Sequence, residues 1–192
     1  GVPWQAVHQA AGYRPPHQFV DALRTPGLRS LVPWRHTHRF EDAGEGRTRI
    51  IDEVKTLVPG RLLAPVFAYR EAQLRADFAT HRAMGEFYET PLTVAITGSS
   101  GLVGRALTAL IRTGGHRVVQ LVRRPAAGPD ERRWDTAHPA ADLLDDVDAV
   151  VHLAGAPIAG RFTDQHRRAI RDSRVAPTRA LANQAGDRPF IC

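Results

Sequence analysis

The hydrophobic pattern changes near residue 90, and downstream of that point it predicts alternating strands and helices. Leu92–Ile96 is a short apolar run rich in branched side chains, which is typical of a parallel-sheet strand covered on both faces. Apolar residues at helical spacing then predict a helix from Leu102 that ends at Gly114–Gly115. The residues of this expected apolar stripe are Leu102, Val103, Ala106, Leu107, Leu110 and Ile111.

Further elements follow in the same alternating order. Arg117–Val122 predicts a second strand, so that strand, helix and strand form a βαβ unit. The later elements are a short strand at Arg132–Asp135, a strand within Val147–Gly155, a helix over residues 163–184 capped by Thr163, and a strand beginning at Arg188. The fold class predicted for residues 91–192 is therefore α/β, the N-terminal half of a Rossmann-type parallel sheet.

Upstream of residue 90 the pattern predicts a separate α+β unit, residues 1–89. Gln18–Leu23, Trp34–Glu41 and Arg47–Val58 read as antiparallel strands, with a hairpin turn at Asp42–Gly46. A long helix follows over Leu63–Tyr88. The expected members of its broad apolar face are Val66, Phe67, Leu74, Phe78, Met84 and Phe87.

Composition excludes several classes of protein. The net charge of +6 comes with Lys55 as the only lysine, and the arginines form no block or stripe, so nucleic-acid binding is not expected. Cys192 is the only cysteine, which excludes an internal disulfide and a cysteine zinc site. No apolar run reaches the length of a membrane span, and the default expectation is a cytoplasmic protein.

Three glycines at three-residue spacing follow the first apolar strand. Gly98 allows a sharp turn, Gly101 lets the main chain approach a phosphate, and Gly104 lets the new helix pack against the strand. The positive end of that helix would then face the pyrophosphate of a dinucleotide. A ligand-free α/β layer is the alternative. The candidate cofactor-binding residues of this turn are Gly98, Ser99, Ser100, Gly101, Leu102, Val103 and Gly104.

Two arginines stand where the second strand ends. A carboxylate at this place would accept hydrogen bonds from the ribose of NAD and repel a 2′-phosphate, whereas this chain has Arg123 and Arg124. A guanidinium group can bind phosphate through two charge-assisted hydrogen bonds. The residues therefore predict NADP(H) rather than NAD(H), the alternative being that both arginines are solvated surface charges.

His36 and His38 lie two residues apart on a predicted strand and so share one face. No carboxylate or cysteine stands beside them in the sequence at a ligand spacing, and hydrogen-bonded histidines are common on strands. No metal site is predicted. Trp34, Phe40 and Phe67 are expected to be core or cavity wall.

The motifs from residue 92 to 192 together resemble the atypical extended short-chain dehydrogenase/reductases, the NAD-dependent epimerase/dehydratase-like or sugar-nucleotide-epimerase-like family. The matching segments are Thr97–Gly104, Leu121–Arg124, Trp134–Asp135, Val150–Ile158 and Ile170–Arg174. The resemblance implies that Leu153, Ala154 and Gly155 line the cofactor ribose, and that Arg174 approaches the cofactor from the following helix. A helix-surface ion pair is the alternative for Arg174.

The resemblance also implies what this stretch does not carry. Short-chain dehydrogenases use a tyrosine and a lysine four residues later, and here Tyr88 is the last tyrosine and Lys55 the only lysine. No catalytic residue is therefore predicted, and the chain is interpreted as an inactive internal piece of a longer two-domain NADP-dependent reductase or epimerase, or as a truncated product. The alternative is a non-catalytic module that senses NADP or binds a lipid. The substrate and the oligomeric state stay open.

The upstream unit resembles the polyketide cyclase/dehydrase-like, or START-like, helix-grip fold. The residues that carry the resemblance are Gly12–Asp21, Trp34–Phe40 and the long helix. Only the later part of that fold is matched, since its opening strand and small helices have no counterpart here. The resemblance implies an apolar cavity for a small hydrophobic ligand.

Overall fold

The computed structural model describes residues 5–27 and 32–192. The chain divides into two compact units, the first ending at Leu74 and the second beginning at Arg75. This division lies within a long helix. The sequence-based domain boundary at residues 89–91 stays a prediction.

The first unit contains a four-stranded antiparallel sheet in which each strand pairs with the next. Its strands are β1 (Ala6–His8), β2 (Gln18–Leu23), β3 (Trp34–Asp42) and β4 (Thr48–Thr56). The hairpin between β3 and β4 and the strand β2 confirm the elements predicted for this region, whereas β1 was not predicted. The register pairs Asp21 with His36 and His38 with Asp52. The resemblance to the helix-grip fold stays a prediction.

Helix α1 (Gly60–Gly85) follows the sheet and begins three residues earlier than the pattern predicted. Phe67, Leu74 and Met84 lie on a half-buried stripe of this helix, as expected for an apolar face. The rest of the expected face is wrong, because Val66 and Phe78 are exposed and Phe87 lies beyond the helix end. None of the helix residues is fully buried.

The second unit contains a five-stranded sheet. Its strands are β5 (Thr93–Thr97), β6 (Arg117–Val122), β7 (Glu131–Arg133), β8 (Ala149–His152) and β9 (Phe190–Ile191). Every pairing is parallel, in the order β7-β6-β5-β8-β9. This order, with helices connecting β5 to β6 and β8 to β9, is that of a Rossmann-type half and confirms the predicted fold class. The helices are α2 (Leu102–Thr113), α3 (Asp164–Asp172) and α4 (Val175–Ala185).

Apolar side chains cover both faces of the parallel sheet. Ala95, Val119 and Leu181 belong to a buried cluster on one side, while Ile96 and Ile111 belong to a second cluster. Successive residues of a strand point to opposite faces, so Ala95 and Ile96 enter different clusters. This two-sided burial explains why the strands read as continuous apolar runs.

Two predictions in the second unit are wrong. The helix expected over residues 163–184 is split at Ser173, because Pro177 lacks a backbone N–H and is tolerated only in a first turn, here that of α4. Leu102 and Val103 were expected on the apolar stripe of α2 but are 82% and 63% exposed. Both lie in the first turn of α2, beyond the sheet edge.

A helix that could span a membrane is not found among the residues that the structure describes.

Candidate functional site

The turns that leave β5 and β8 meet at the carboxyl edge of the sheet. Gly98 has a φ of +68°, and a Cβ added there would lie 2.8 Å from the carbonyl carbon of Leu153 and 2.9 Å from the nitrogen of Ala154. A side chain is therefore excluded both by the backbone conformation and by main-chain atoms. Strand order reverses at this edge, which is where ligands bind in open α/β sheets.

The other two glycines bring the start of α2 against the same turn. The carbonyl of Gly98 accepts a hydrogen bond of 3.0 Å from the N–H of Gly101. A Cβ at Gly104 would collide with the carbonyl oxygen of Gly98 and lie 2.7 Å from the Cα of Ser99. Gly101 caps α2 without a side-chain hydrogen bond, so the N–H groups of the first turn stay available to an anion.

The remaining side chains of the turn divide into inward and outward groups. Ser99 is buried and donates a hydrogen bond of 2.9 Å from its Oγ to Oε1 of Gln120 on β6. Ser100, Leu102 and Val103 are exposed. Ser99 therefore anchors the turn to the sheet, and its main chain is the part that can face a ligand.

Thr97, at the end of β5, joins the two turns through its hydroxyl. Its Oγ accepts hydrogen bonds from the N–H groups of Leu153 at 3.0 Å and Ala154 at 3.1 Å, and lies 2.7 Å from Nδ1 of His152. Because both accepted bonds occupy the oxygen lone pairs, we infer that the hydroxyl donates to Nδ1 of a neutral His152. Burial, and secondarily the charge of Arg174, lowers the pKa of His152, which agrees with the neutral form.

Arg174 lies between α3 and α4 and reaches the turn after β8. Its guanidinium group is so close to Gly155 that an added Cβ would lie 2.8 Å from Cζ. Nη1 donates to the carbonyls of Ala156 at 3.1 Å and Ile170 at 3.2 Å. Main-chain carbonyls thus hold this cation beside the loop that the resemblance assigns to the cofactor, and no ion pair of Arg174 is present among the described residues.

Arg123 and Arg124, which follow β6, differ in their surroundings. Arg124 forms a two-pronged ion pair with Glu131, with Nη1 and Nη2 at 2.6 and 2.5 Å from the two carboxylate oxygens. Arg123 is exposed, and within residues 5–27 and 32–192 its side chain makes no hydrogen bond or ion pair. Of these two arginines, therefore, only Arg123 has a guanidinium group whose donors are all open to a ligand.

We expect the ion pair to be visible in the titration of Glu131. Hydrogen bonds from Arg124 first, and then from the N–H of Ala127, lower the pKa of Glu131 from 4.5 to about 2. Because the folded-state pKa is the lower one, the pair stabilises the fold above pH 4.5 and that contribution is lost as the pH falls toward 2. Carbon-13 NMR of the carboxyl group should show the pKa of Glu131 rising toward its ordinary value in Arg124→Ala. An unchanged pKa in that variant would contradict the assignment.

The structure thus brings the glycine turn, Leu153–Gly155 and Arg174 together, and places Arg123 and Arg124 at the end of the adjacent strand. Sequence reasoning assigned no role to Thr97, His152 or Glu131. Thr97 and His152 could have been noticed as polar residues at the ends of otherwise apolar strands.

The comparisons with known proteins agree with this architecture. Residues 94–189 match the NAD dependent epimerase/dehydratase family. An epimerase family protein of Mycobacterium bovis is 44% identical over 97 residues, which cover 49% of this chain and 32% of that protein. The epimerase family protein SDR39U1 of Homo sapiens is 35% identical over 94 residues, which cover 47% of this chain and 31% of that protein.

A solved structure extends the similarity to nearly the whole chain. The crystal structure of the nucleoside-diphosphate sugar epimerase from Corynebacterium glutamicum matches with a TM-score of 0.77 and 46% identity, covering 96% of this chain and 39% of that one. Among the curated relatives the match is shorter, and it spans about a third of the length of each of them. The match over residues 94–189, half of the sequence, and the parallel sheet with its glycine turn show that the chain belongs to the NAD dependent epimerase/dehydratase family.

Proposed function

We propose that this chain binds NADP(H) and supplies the cofactor-binding part of an oxidoreductase or epimerase. The observation that carries the proposal is the turn at Gly98, where the start of α2 and the loop after β8 meet and no side chain caps the first turn of α2. Uncapped N–H groups at a helix start bind a pyrophosphate. The family of the chain, and the Corynebacterium glutamicum epimerase that resembles it, support the reaction class.

The preference for the phosphorylated cofactor rests on the charges after β6. Glu131 would repel a 2′-phosphate, but its charge is compensated by Arg124 at 2.5 Å. Arg123 is the neighbouring cation with open donors, and a guanidinium group binds phosphate in a two-pronged manner. The pair of Arg124 with Glu131 then keeps the acidic group from opposing the ligand, while Arg123 contacts it.

Calorimetric titration of the chain with NADP⁺ and NAD⁺ tests this proposal. We expect tighter binding of NADP⁺, and a ten- to hundredfold loss of NADP⁺ affinity in Arg123→Ala, since a charge-assisted hydrogen bond contributes about 1.5–3 kcal/mol. Arg49→Ala, which removes an exposed arginine of β4, is the matched control and should leave both affinities unchanged. Equal affinity for the two cofactors, or unchanged NADP⁺ binding by Arg123→Ala, would refute the preference.

A further inference from the structure

A set of polar side chains lies buried on one face of the antiparallel sheet. His36 and His38 alternate along β3, and only 6% and 1% of their surface is exposed. The register places Asp52 on β4 directly opposite His38, and Asp21 on β2 directly opposite His36. Cross-strand partners point to the same face, so three adjacent strands deliver these groups to one place.

The donor atoms of three of these residues converge. Oδ1 of Asp52 lies 3.0 Å from Nε2 of His36 and 2.7 Å from Nδ1 of His38. All three donor atoms lie within 4.8 Å of one another. Two imidazole nitrogens and a carboxylate oxygen at these separations can reach one cation at coordination distances of about 2.0–2.2 Å. The carboxylate that the sequence spacing lacked comes from the neighbouring strand.

The surroundings fix both imidazole rings. Nε2 of His38, on the far side of the ring, lies 3.4 Å from Oδ2 of Asp21. The Phe19 ring stacks on His38 with centroids 4.0 Å apart, and Phe67 meets His36 edge-on at 5.4 Å. Metal-binding histidines commonly present their second nitrogen to a carboxylate, which orients the ring and raises its basicity. Asp21 is the carboxylate nearest that nitrogen of His38, but it does not complete a hydrogen bond to it and pairs with Nδ1 of His8 at 2.7 Å.

Arg70 of α1 is the cation that now approaches the cluster. Its Nη2 lies 3.2 Å from Nδ1 of His38, and its Nε lies 3.4 Å from Oδ2 of Asp52. The two neighbours make opposite demands on Nδ1, since bonding to Asp52 needs a proton there and bonding to Arg70 needs a lone pair. A divalent cation resolves the conflict by taking the lone pair and the carboxylate together. Arg70 is 42% exposed along its side chain and can turn to solvent.

We propose that His36, His38 and Asp52 bind a divalent cation of the Zn²⁺ class, with a further coordination position left open. Imidazole nitrogens with one carboxylate suit Zn²⁺ and neighbouring transition metals better than Mg²⁺ or Ca²⁺. Arg70 competes for the same donors and occupies them when no metal is bound.

Titration of the chelator-treated 192-residue chain with Zn²⁺, and Co²⁺ absorption as a report of coordination, test the site. We expect one ion per chain and at least a hundredfold loss of affinity in His36→Gln and in Asp52→Asn. Asp21→Asn should lose ten- to a hundredfold, the usual effect of a carboxylate behind a ligand. Arg70→Gln should bind more tightly because the competing cation is gone. His17→Ala, which removes an exposed histidine, is the matched control.

Circular dichroism of each variant separates loss of binding from loss of fold. Asp21→Asn keeps the size of the side chain and all three ligands, so it tests the site even where a ligand variant unfolds. Absence of saturable Zn²⁺ binding by the chain without substitutions would overturn the proposal. Binding that persists in His36→Gln and in Asp52→Asn would also overturn it, because other histidines would then be the ligands.

Discussion

Gly98→Ala is expected to lower the free energy of unfolding of the parallel-sheet unit by about 3 kcal/mol or more and to abolish dinucleotide binding. Alanine at a φ of +68° costs about 1–2 kcal/mol from the backbone conformation alone. The added Cβ would also lie 2.8 Å from main-chain atoms of Leu153, so the two turns have to separate. Urea denaturation gives the change in stability, and calorimetry gives the cofactor affinity.

Gly115→Ala separates the steric effect from the conformational one. Gly115 also has a positive φ, of +86°, but a Cβ added there meets nothing within 4 Å. We expect it to lose only the conformational part, about 1–2 kcal/mol, and to keep cofactor binding. If the two variants lose equal stability, the close contact between Gly98 and Leu153 contributes nothing to the destabilisation of Gly98→Ala. Cofactor binding by a folded Gly98→Ala would contradict the proposed role of the turn.

The strands and the glycine turn could be predicted because their determinants are local. Buried strands with both faces covered must be apolar throughout, and the close contacts at Gly98 and Gly104 tolerate only glycine. The exposure of Leu102 and Val103 could not be read from the same pattern. A helical stripe assumes a layer that covers every turn, and the first turn of α2 lies at an edge that no described element covers.

The predicted hairpin of the first unit could have indicated that a residue of β4 joins the two histidines of β3. The hairpin turn was predicted at Asp42–Gly46, and counting outward from its centre at residue 44 would pair His38 with Ile50. The observed register is centred on Glu45 and pairs His38 with Asp52, two residues further along the same face. Residue spacing along a single strand cannot reveal a ligand that comes from the partner strand. The ion pair of Arg124 with Glu131 is different, because it spans a loop whose path no periodic pattern defines.

Thr97→Val is expected to destabilise the second unit by about 3 kcal/mol and to weaken cofactor binding. Valine has a similar shape but no hydroxyl, so the N–H of Ala154 and Nδ1 of His152 lose their hydrogen-bond partner. The N–H of Leu153 keeps the carbonyl of Thr97 at 3.2 Å. Each buried polar group left unpaired costs about 1–3 kcal/mol. The loop after β8 should then loosen where it faces Gly98.

Thr97→Ser retains the hydroxyl and removes only the methyl group, so it isolates the hydrogen bonds from the packing. Loss of one buried methyl costs about 1 kcal/mol, well below the effect expected for valine. Thr80→Val provides a second comparison, since that exposed hydroxyl donates only to the carbonyl of Ala76 in its own helix. Urea denaturation of the three variants should rank Thr97→Val as the most destabilised. Equal stability of Thr97→Val and Thr97→Ser would show that the hydroxyl does not hold the two turns together.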